Sequence, residues 1–171
     1  MLIESLLMSE KSQCTVTTTQ PVLMTEIVMP QHTNPIGVIF GGVIMSWIDI
    51  ASAIAAGRHC KTHVATASID AIQFIKPIHL GWIVTIRANI NRVWNSSMEI
   101  GLHLSAENPL ADEEHHSASA YVTMVALDND GRAVKVPEII IDTDEEKRRY
   151  RQAGERREQR LKAKKTAEKL A

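Results

Sequence analysis

Asp49 is the one charged side chain between Gly42 and Gly57, in a stretch that reads VIMSWIDIASAIAA over residues 43–56. Burying an ionised carboxylate beside Trp47, Ile48, Ile50 and Ala53 costs several kcal/mol unless it is paired or used. Two readings stand. Asp49 is a structural carboxylate bonded to a neighbouring loop or helix, or it is a general base or nucleophile at a cleft, its basicity set by partial desolvation. Upstream lie Gly41 and Gly42, where a helix start leaves backbone N–H groups without intrahelical partners. Such groups form a natural site for a developing oxyanion.

Gly42 and Asp49 share a helix face but stand about 10 Å apart along its axis. One helix does not easily bring both its own start and its own Asp49 to a single carbonyl. A two-fold dimer does, one chain offering the loop and helix start and the other offering Asp49. The spacing therefore predicts an active site shared between subunits. Asn34, in Thr33-Asn34-Pro35, is the second candidate. Alone it reads as a turn cap; beside a Gly-rich helix start, its amide orients water or polarises a carbonyl. His32 is a further acid/base candidate.

Other chemistries have no foothold. The chain has no G-x-S-x-G elbow, P-loop, G-x-G-x-x-G or H-E-x-x-H. Asp112-Glu-Glu-His-His116 has metal-ligand residue types, but it follows Asn108-Pro109 in an expected hairpin loop. Consecutive loop residues rarely converge on one ion, so no metal site is expected.

The elements that must position these residues follow from periodicity. Val22–Met29 reads as a strand, 30–42 as a loop punctuated by Pro and Gly, and Val43–His59 as a helix apolar on nearly every face, hence a buried one. Four runs of period two follow: 65–76, then 82–91, 98–106 and 118–127. A buried helix needs an apolar sheet to cover it. One strongly curved antiparallel sheet wrapped around a long central helix meets that need, the hotdog arrangement of the α+β class. Exposed sheet edges meeting edge to edge again predict a dimer.

The chain has 171 residues, 44% hydrophobic, 23% charged and 4% aromatic, so one domain with an aliphatic core is expected. A flexible Ser/Thr-rich leader is expected over 1–20, the folded domain over 21–142 and a charged helical tail over 143–171. The net charge of −1 hides an asymmetry: 1–143 carry 8 basic and 14 acidic groups, whereas 144–171 carry 11 basic and 6 acidic. A uniformly basic nucleic-acid binder is excluded, and no nucleic-acid partner is expected. The tail reads as a solvated helix that frays at its end, with Asp144/Arg148, Glu145/Arg149 and Glu158/Lys162 in i,i+4 pairs.

Cys14 and Cys60 lack metal-like spacing and read as free thiols in a reducing compartment. Glu4 stands where a signal peptide needs positive charge. The uncharged run Thr33–Ile48 is shorter than the ~18 residues that span a bilayer. A cytoplasmic protein without membrane insertion is expected.

The block His32-Thr-Asn34-Pro-Ile-Gly37-Val-Ile-Phe-Gly41-Gly42-Val-Ile-Met-Ser-Trp-Ile-Asp49 resembles the N-x-x-G-x-x-x-G-G-x(6)-D signature of hotdog-fold acyl-CoA thioesterases. It is most similar to the cytosolic acyl-CoA hydrolase branch, the brain enzyme and its bacterial single-domain relatives. Arg58-His-Cys60, Phe74-Ile-Lys-Pro77, Ser97-Met-Glu-Ile100, Glu107-Asn-Pro-Leu110 and Ala118-Ser-Ala-Tyr121 extend the resemblance over about residues 22–140. It implies metal-free hydrolysis of fatty acyl-CoA to a free acid and CoA, with no cofactor beyond the CoA of the substrate. It further implies that Asp49 is general base or nucleophile, that Asn34 of the opposite subunit positions water or thioester, and that dimers assemble into hexamers.

The phosphates of CoA call for a cationic or donor-rich surface, and Arg58, Lys76 and the turn Asn95-Ser96-Ser97 are candidates, the turn preferred for its backbone N–H groups. Each also reads as an ordinary surface residue. Two rival functions remain. A hotdog enoyl-thioester hydratase or dehydratase needs Asp-x-Asn-Pro-x-His, but His32 and Gly37 occupy the Asp and His places. A non-catalytic acyl-CoA-binding module is the other, against which the Asn34/Asp49 pair argues.

Overall fold

The computed structural model describes residues 20–70 and 72–170. The expected leader, apart from Gln20, and Cys14 lie outside the described residues. Strand β1 (Val22–Ile27) leads through a single 3-10 turn at Pro30–His32 to helix α1 (Gly41–Cys60). Strands β2 (His63–Ile69), β3 (Gln73–Phe74), β4 (Ile83–Val93), β5 (Ser97–Asn108) and β6 (Glu113–Leu127) follow, and helix α2 (Asp144–Leu170) ends the chain.

The strands form one six-stranded antiparallel sheet in the order β1-β4-β5-β6-β2, with β3 paired to β6. Period-two patterning sends Val84, Ile86, Ile100, Leu104, Val122 and Met124 to the concave face, where they are fully or almost fully buried against α1. This is the hotdog fold, a curled sheet around a long helix, with a second helix at the C-terminus.

Helix α1 starts two residues earlier than the hydrophobic run predicts. Phe40 is its N-cap, without a side-chain bond to the first turn. It runs through Gly57 and stops where Lys61 takes the left-handed conformation (φ 55°) and donates its N–H to the Gly57 carbonyl. Burial around the helix is not uniform. Ile44, Trp47, Ile48, Ala51, Ala55 and Ala56 face the sheet, while Gly42, Met45, Ser46 and Ile50 are exposed and Asp49 and Ala53 half-buried. The helix predicted to be covered all round is covered on one side within the chain. Both stripes are apolar, so the sequence did not separate them.

Two β-bulges correct the strand reading. At Ala67 the register of β2 against β6 shifts, so Thr66 faces the concave side opposite Met124 and Ile69 faces it opposite Val122. The simple alternation of Ala65, Ala67 and Ile69 on one face is broken there. A second shift between Leu104 and Ser105 lets β6 begin at Glu113, well before the predicted start. Glu113–His116 are therefore strand, and only 109–112 form the hairpin loop. His115 turns toward Trp82 (5.1 Å), whereas His116 stacks on His103 (4.0 Å).

The tail is the largest correction. It begins with a capping box in which Thr143 Oγ1 accepts from the Glu146 N–H (3.2 Å) and Glu146 Oε2 accepts from the Thr143 N–H (2.9 Å). Donation to that carboxylate from the Thr143 N–H, the Thr143 hydroxyl and the Asp142 N–H holds its pKa below the ordinary value. It then lies across the convex face of the sheet. Glu99, on β5, is fully buried there, bound by Arg156 Nη2 at 2.6 Å and by Asn91 Nδ2 at 3.2 Å. The Arg156 guanidinium sits over Tyr121 (3.6 Å) and that of Arg157 over Trp94 (4.3 Å). Ala153 is fully buried. The helix is docked rather than solvated, because its arginines meet an acidic and aromatic patch that the sheet presents.

Candidate active site

The loop before α1 is shaped by Asn34. Its backbone carbonyl accepts from the Gly37 N–H (3.0 Å), closing a turn with Pro35 second and Gly37 fourth. Gly37 sits at φ 76°, a conformation that disfavours a side chain. The Asn34 Oδ1 accepts from the N–H groups of Ile36 (3.1 Å) and Val38 (3.3 Å). The turn-capping reading of Asn34 is thus correct for its oxygen. Among the described residues its Nδ2 donates to no partner, so two amide protons are left for a ligand.

His32 is occupied with the same loop. Its Nδ1 accepts from the Met29 N–H (3.2 Å), its carbonyl accepts from the Phe40 N–H (2.8 Å), and its ring meets Trp47 edge-on at 5.3 Å. These contacts seat the loop on α1.

At the helix start the two glycines let aromatic rings approach the backbone. A Cβ on Gly41 would lie 3.5 Å from the Phe74 ring, and one on Gly42 would be 2.9 Å from that of Phe40. Beside Gly41 a cleft of about 350 Å³ is lined by Ile39, Phe74, Ile75, Lys76, Pro77 and Ile78. It offers an apolar wall with one ammonium group at its rim.

Asp49 lies on the open stripe of α1, half-buried rather than sunk among Trp47 and Ile48, which turn to the sheet. Its Oδ1 accepts from Thr66 Oγ1 at 2.5 Å, which leaves Oδ2 for another proton. Thr66 is a candidate site residue that sequence reasoning missed. Its only trace was a Thr in an alternating strand, and the bulge that aims it inward has no sequence mark beyond small residues.

The CoA candidates fall in three separate places. Lys76 lines the cleft at the helix start. Arg58 lies in the last turn of α1, about 25 Å from Gly41 along the axis. The Asn95–Ser97 turn is largely spent on the fold: the Asn95 carbonyl accepts from Val136 N–H (2.8 Å), the Ser96 carbonyl from Ala126 N–H (3.0 Å), and Ser97 Oγ from Arg157 Nη1 (3.1 Å). One chain does not bring Lys76, Arg58 and this turn together. Near Arg58, burial pushes the Cys60 thiol up to about 11, and the free Cys60 is no nucleophile at neutral pH.

Residues 36–111 match the family model described as the thioesterase superfamily. A Bacillus subtilis protein named as an uncharacterized acyl-CoA thioester hydrolase is 35% identical over 150 residues, 88% of this chain and 87% of the relative. A solved apo-hexameric acyl-CoA thioesterase superposes with a TM-score of 0.81 at 34% identity, covering 84% of this chain and 92% of the other. The acyl-CoA hydrolase of Staphylococcus aureus, solved with butyryl-CoA and CoA, gives a TM-score of 0.78 at 34% identity, covering 88% and 94%. That enzyme was also solved as Asn, Asp and Thr variants, each to Ala. Their spacing of 15 and then 17 positions is that of Asn34, Asp49 and Thr66.

Proposed function

Because the chain belongs to the hotdog-fold acyl-CoA thioester hydrolase family, we propose that it hydrolyses fatty acyl-CoA with Asp49 as general base, Thr66 as its orienting hydroxyl and Asn34 of a partner subunit at the thioester. The observation that carries this reading is the carboxylate of Asp49, fixed on one oxygen by Thr66 and open on the other.

In this scheme Asp49 Oδ2 takes a proton from water and the hydroxide adds to the thioester carbonyl. The N–H groups of Gly41 and Gly42, with the Asn34 amide, stabilise the oxyanion. The C–S bond then breaks, and the proton on Asp49 passes to the departing CoA sulfur, leaving a free acid. Phe74, Ile75, Pro77 and Ile78 give the acyl group an apolar wall. Lys76 at the rim meets the anionic portion of CoA, with Arg58 and the outward groups of Asn95, Ser96 and Ser97 as further candidates from other subunits.

A homodimer supports this scheme. Gly42, Met45, Ser46, Ile50 and, on the edge strand β2, Ala65, Thr66 and Ala67 are exposed in the single chain, a surface that a second copy would cover. The hexameric relative supports a trimer of dimers. A reducing, cytoplasmic location fits the free Cys60 thiol.

The test is CoA release from butyryl-CoA and palmitoyl-CoA, followed with a thiol reagent, for the native chain and Asp49→Asn. The native chain releases CoA, and Asp49→Asn lowers kcat by at least ~10²-fold with the fold retained. An unchanged kcat in the variant overturns the assignment.

A further inference from the structure

Arg160, late in α2, binds the Asp70 carboxylate through Nη1 and also approaches Glu99 Oε2 at 3.4 Å. Both members of the Arg160–Asp70 pair are largely shielded, with side chains 24% and 21% exposed. Screening by salt is correspondingly weak. The pair joins the tail to a place that matters for the site. Asp70 directly follows β2 and opens the segment that leads through β3 to Pro77.

That segment carries the cleft wall, and among its described residues the anchors are few. Strand β3 has two residues, paired with Ser119 and Ala118 of β6. After it, the Ile75 N–H donates to the Ser117 carbonyl at 2.8 Å. Phe74 and Ile75 are more than half exposed, so among the described residues between Asp70 and Pro77 side-chain anchorage comes from Ile72, partly buried against the core. Yet the Phe74 ring lies against Gly41, and Lys76 stands at the rim of the same cleft. Upstream, the Asp70 N–H is held by the Tyr121 carbonyl (2.8 Å), and its carboxylate is held by Arg160.

We infer that Arg160 is a positioning residue for substrate binding: by clamping Asp70 to the sheet, it sets the place of the β3 segment and, through Phe74 and Lys76, the wall of the acyl-CoA cleft. The inference rests on the acyl-CoA reading above. Without Arg160, Asp70 is a shielded carboxylate with the Glu99 carboxylate nearby and its counter-charge gone. It turns toward water and draws the weakly paired segment with it. Thr66 lies on the other side of Asp70, in the longer β2 ladder, so the Asp49–Thr66 bond stays in place.

The experiment compares the native chain with Arg160→Met, Asp70→Asn, Arg160→Lys and the Arg160→Met/Asp70→Asn double variant. KM and kcat are measured for butyryl-CoA and palmitoyl-CoA, and hydrogen exchange is read at the Ile75 amide. Each of the first two variants raises KM by about five-fold with kcat within about two-fold, the signature of lost uniform binding. Arg160→Lys recovers part of the loss, the double variant is no worse than either single one, and the Ile75 amide exchanges faster. Asp70→Asn, the milder change, decides the matter if Arg160→Met fails to fold. Native KM and native Ile75 exchange in the variants overturn the clamp, as does a lower Tm with KM unchanged. If the native chain hydrolyses neither acyl-CoA, the functional reading fails, and Ile75 exchange alone still decides whether Arg160 positions the segment.

Discussion

Thr66 Oγ1 donates to Asp49 Oδ1 across 2.5 Å, tying the sheet's edge strand to the middle of the central helix. The bond fixes the rotamer of a half-buried carboxylate and leaves its second oxygen without a hydrogen-bond partner among the described residues. A hydrogen bond to a charged group is worth about 1.5–3 kcal/mol. Thr66→Val, which keeps the shape and removes the donor, should therefore lower kcat about ten- to hundred-fold. Thr66→Ser should restore most of it. Steady-state kinetics on the three proteins checks this, and a native kcat for Thr66→Val removes Thr66 from the account.

The docked tail makes a stability prediction. Arg156 is the nearest partner of the fully buried Glu99, and removing it leaves that charge with only the Asn91 amide and the longer Arg160 contact at 3.4 Å. Arg156→Met should cost up to about 3 kcal/mol in urea unfolding, seen as a lower midpoint at unchanged m value; this is below the full cost of an unpaired buried charge because Arg160 and Asn91 remain. Glu99→Gln in the same background should return much of that loss. An unchanged midpoint for Arg156→Met would show that the tail is as solvated as its charge pattern suggested.

His59 supplies a pH dependence. It is buried in the last turn of α1, and Nε2 donates to the Pro137 carbonyl at 2.8 Å, the neutral tautomer. Burial lowers its pKa below 6.5, partly opposed by that carbonyl. His103 is lowered too, by desolvation and then by His116 and Arg87, with Glu114 opposing. The unfolded chain therefore takes up protons first as pH falls, so stability declines below about pH 6.5 and levels off only below the folded pKa. Tm measured from pH 7.5 to 5 should fall accordingly, with a shallower fall in His59→Gln. An equal slope in that variant would show that His59 does not contribute.

Much of the candidate site was legible because it is local. Asp49, Gly41, Gly42 and Asn34 sit within one loop and helix, where residue type and spacing carry the chemistry. Asn34 was read both as turn cap and as amide donor, and the fold uses its oxygen for the first while leaving its nitrogen for the second. What was not legible depends on partners distant in the chain. Thr66 reaches Asp49 only because a bulge at Ala67 resets the face of β2, and small residues announce no bulge. The tail's arginines look like a solvated charge run until Glu99, Tyr121 and Trp94 are placed beneath them. The wide spread of Arg58, Lys76 and Asn95 likewise follows from helix length and hairpin position, which no single segment reveals.

The central claim is a site built from two chains, and mixed dimers test it most directly. Asn34→Ala and Asp49→Asn homodimers should each be nearly inactive. In each mixed dimer of the two variants, one site carries both native groups and the other neither. Co-expressed and isolated by two different affinity tags, mixed dimers should regain about half of the native kcat per dimer. No recovery in dimers confirmed as mixed would contradict the account, because Asn34 and Asp49 would then act within one chain.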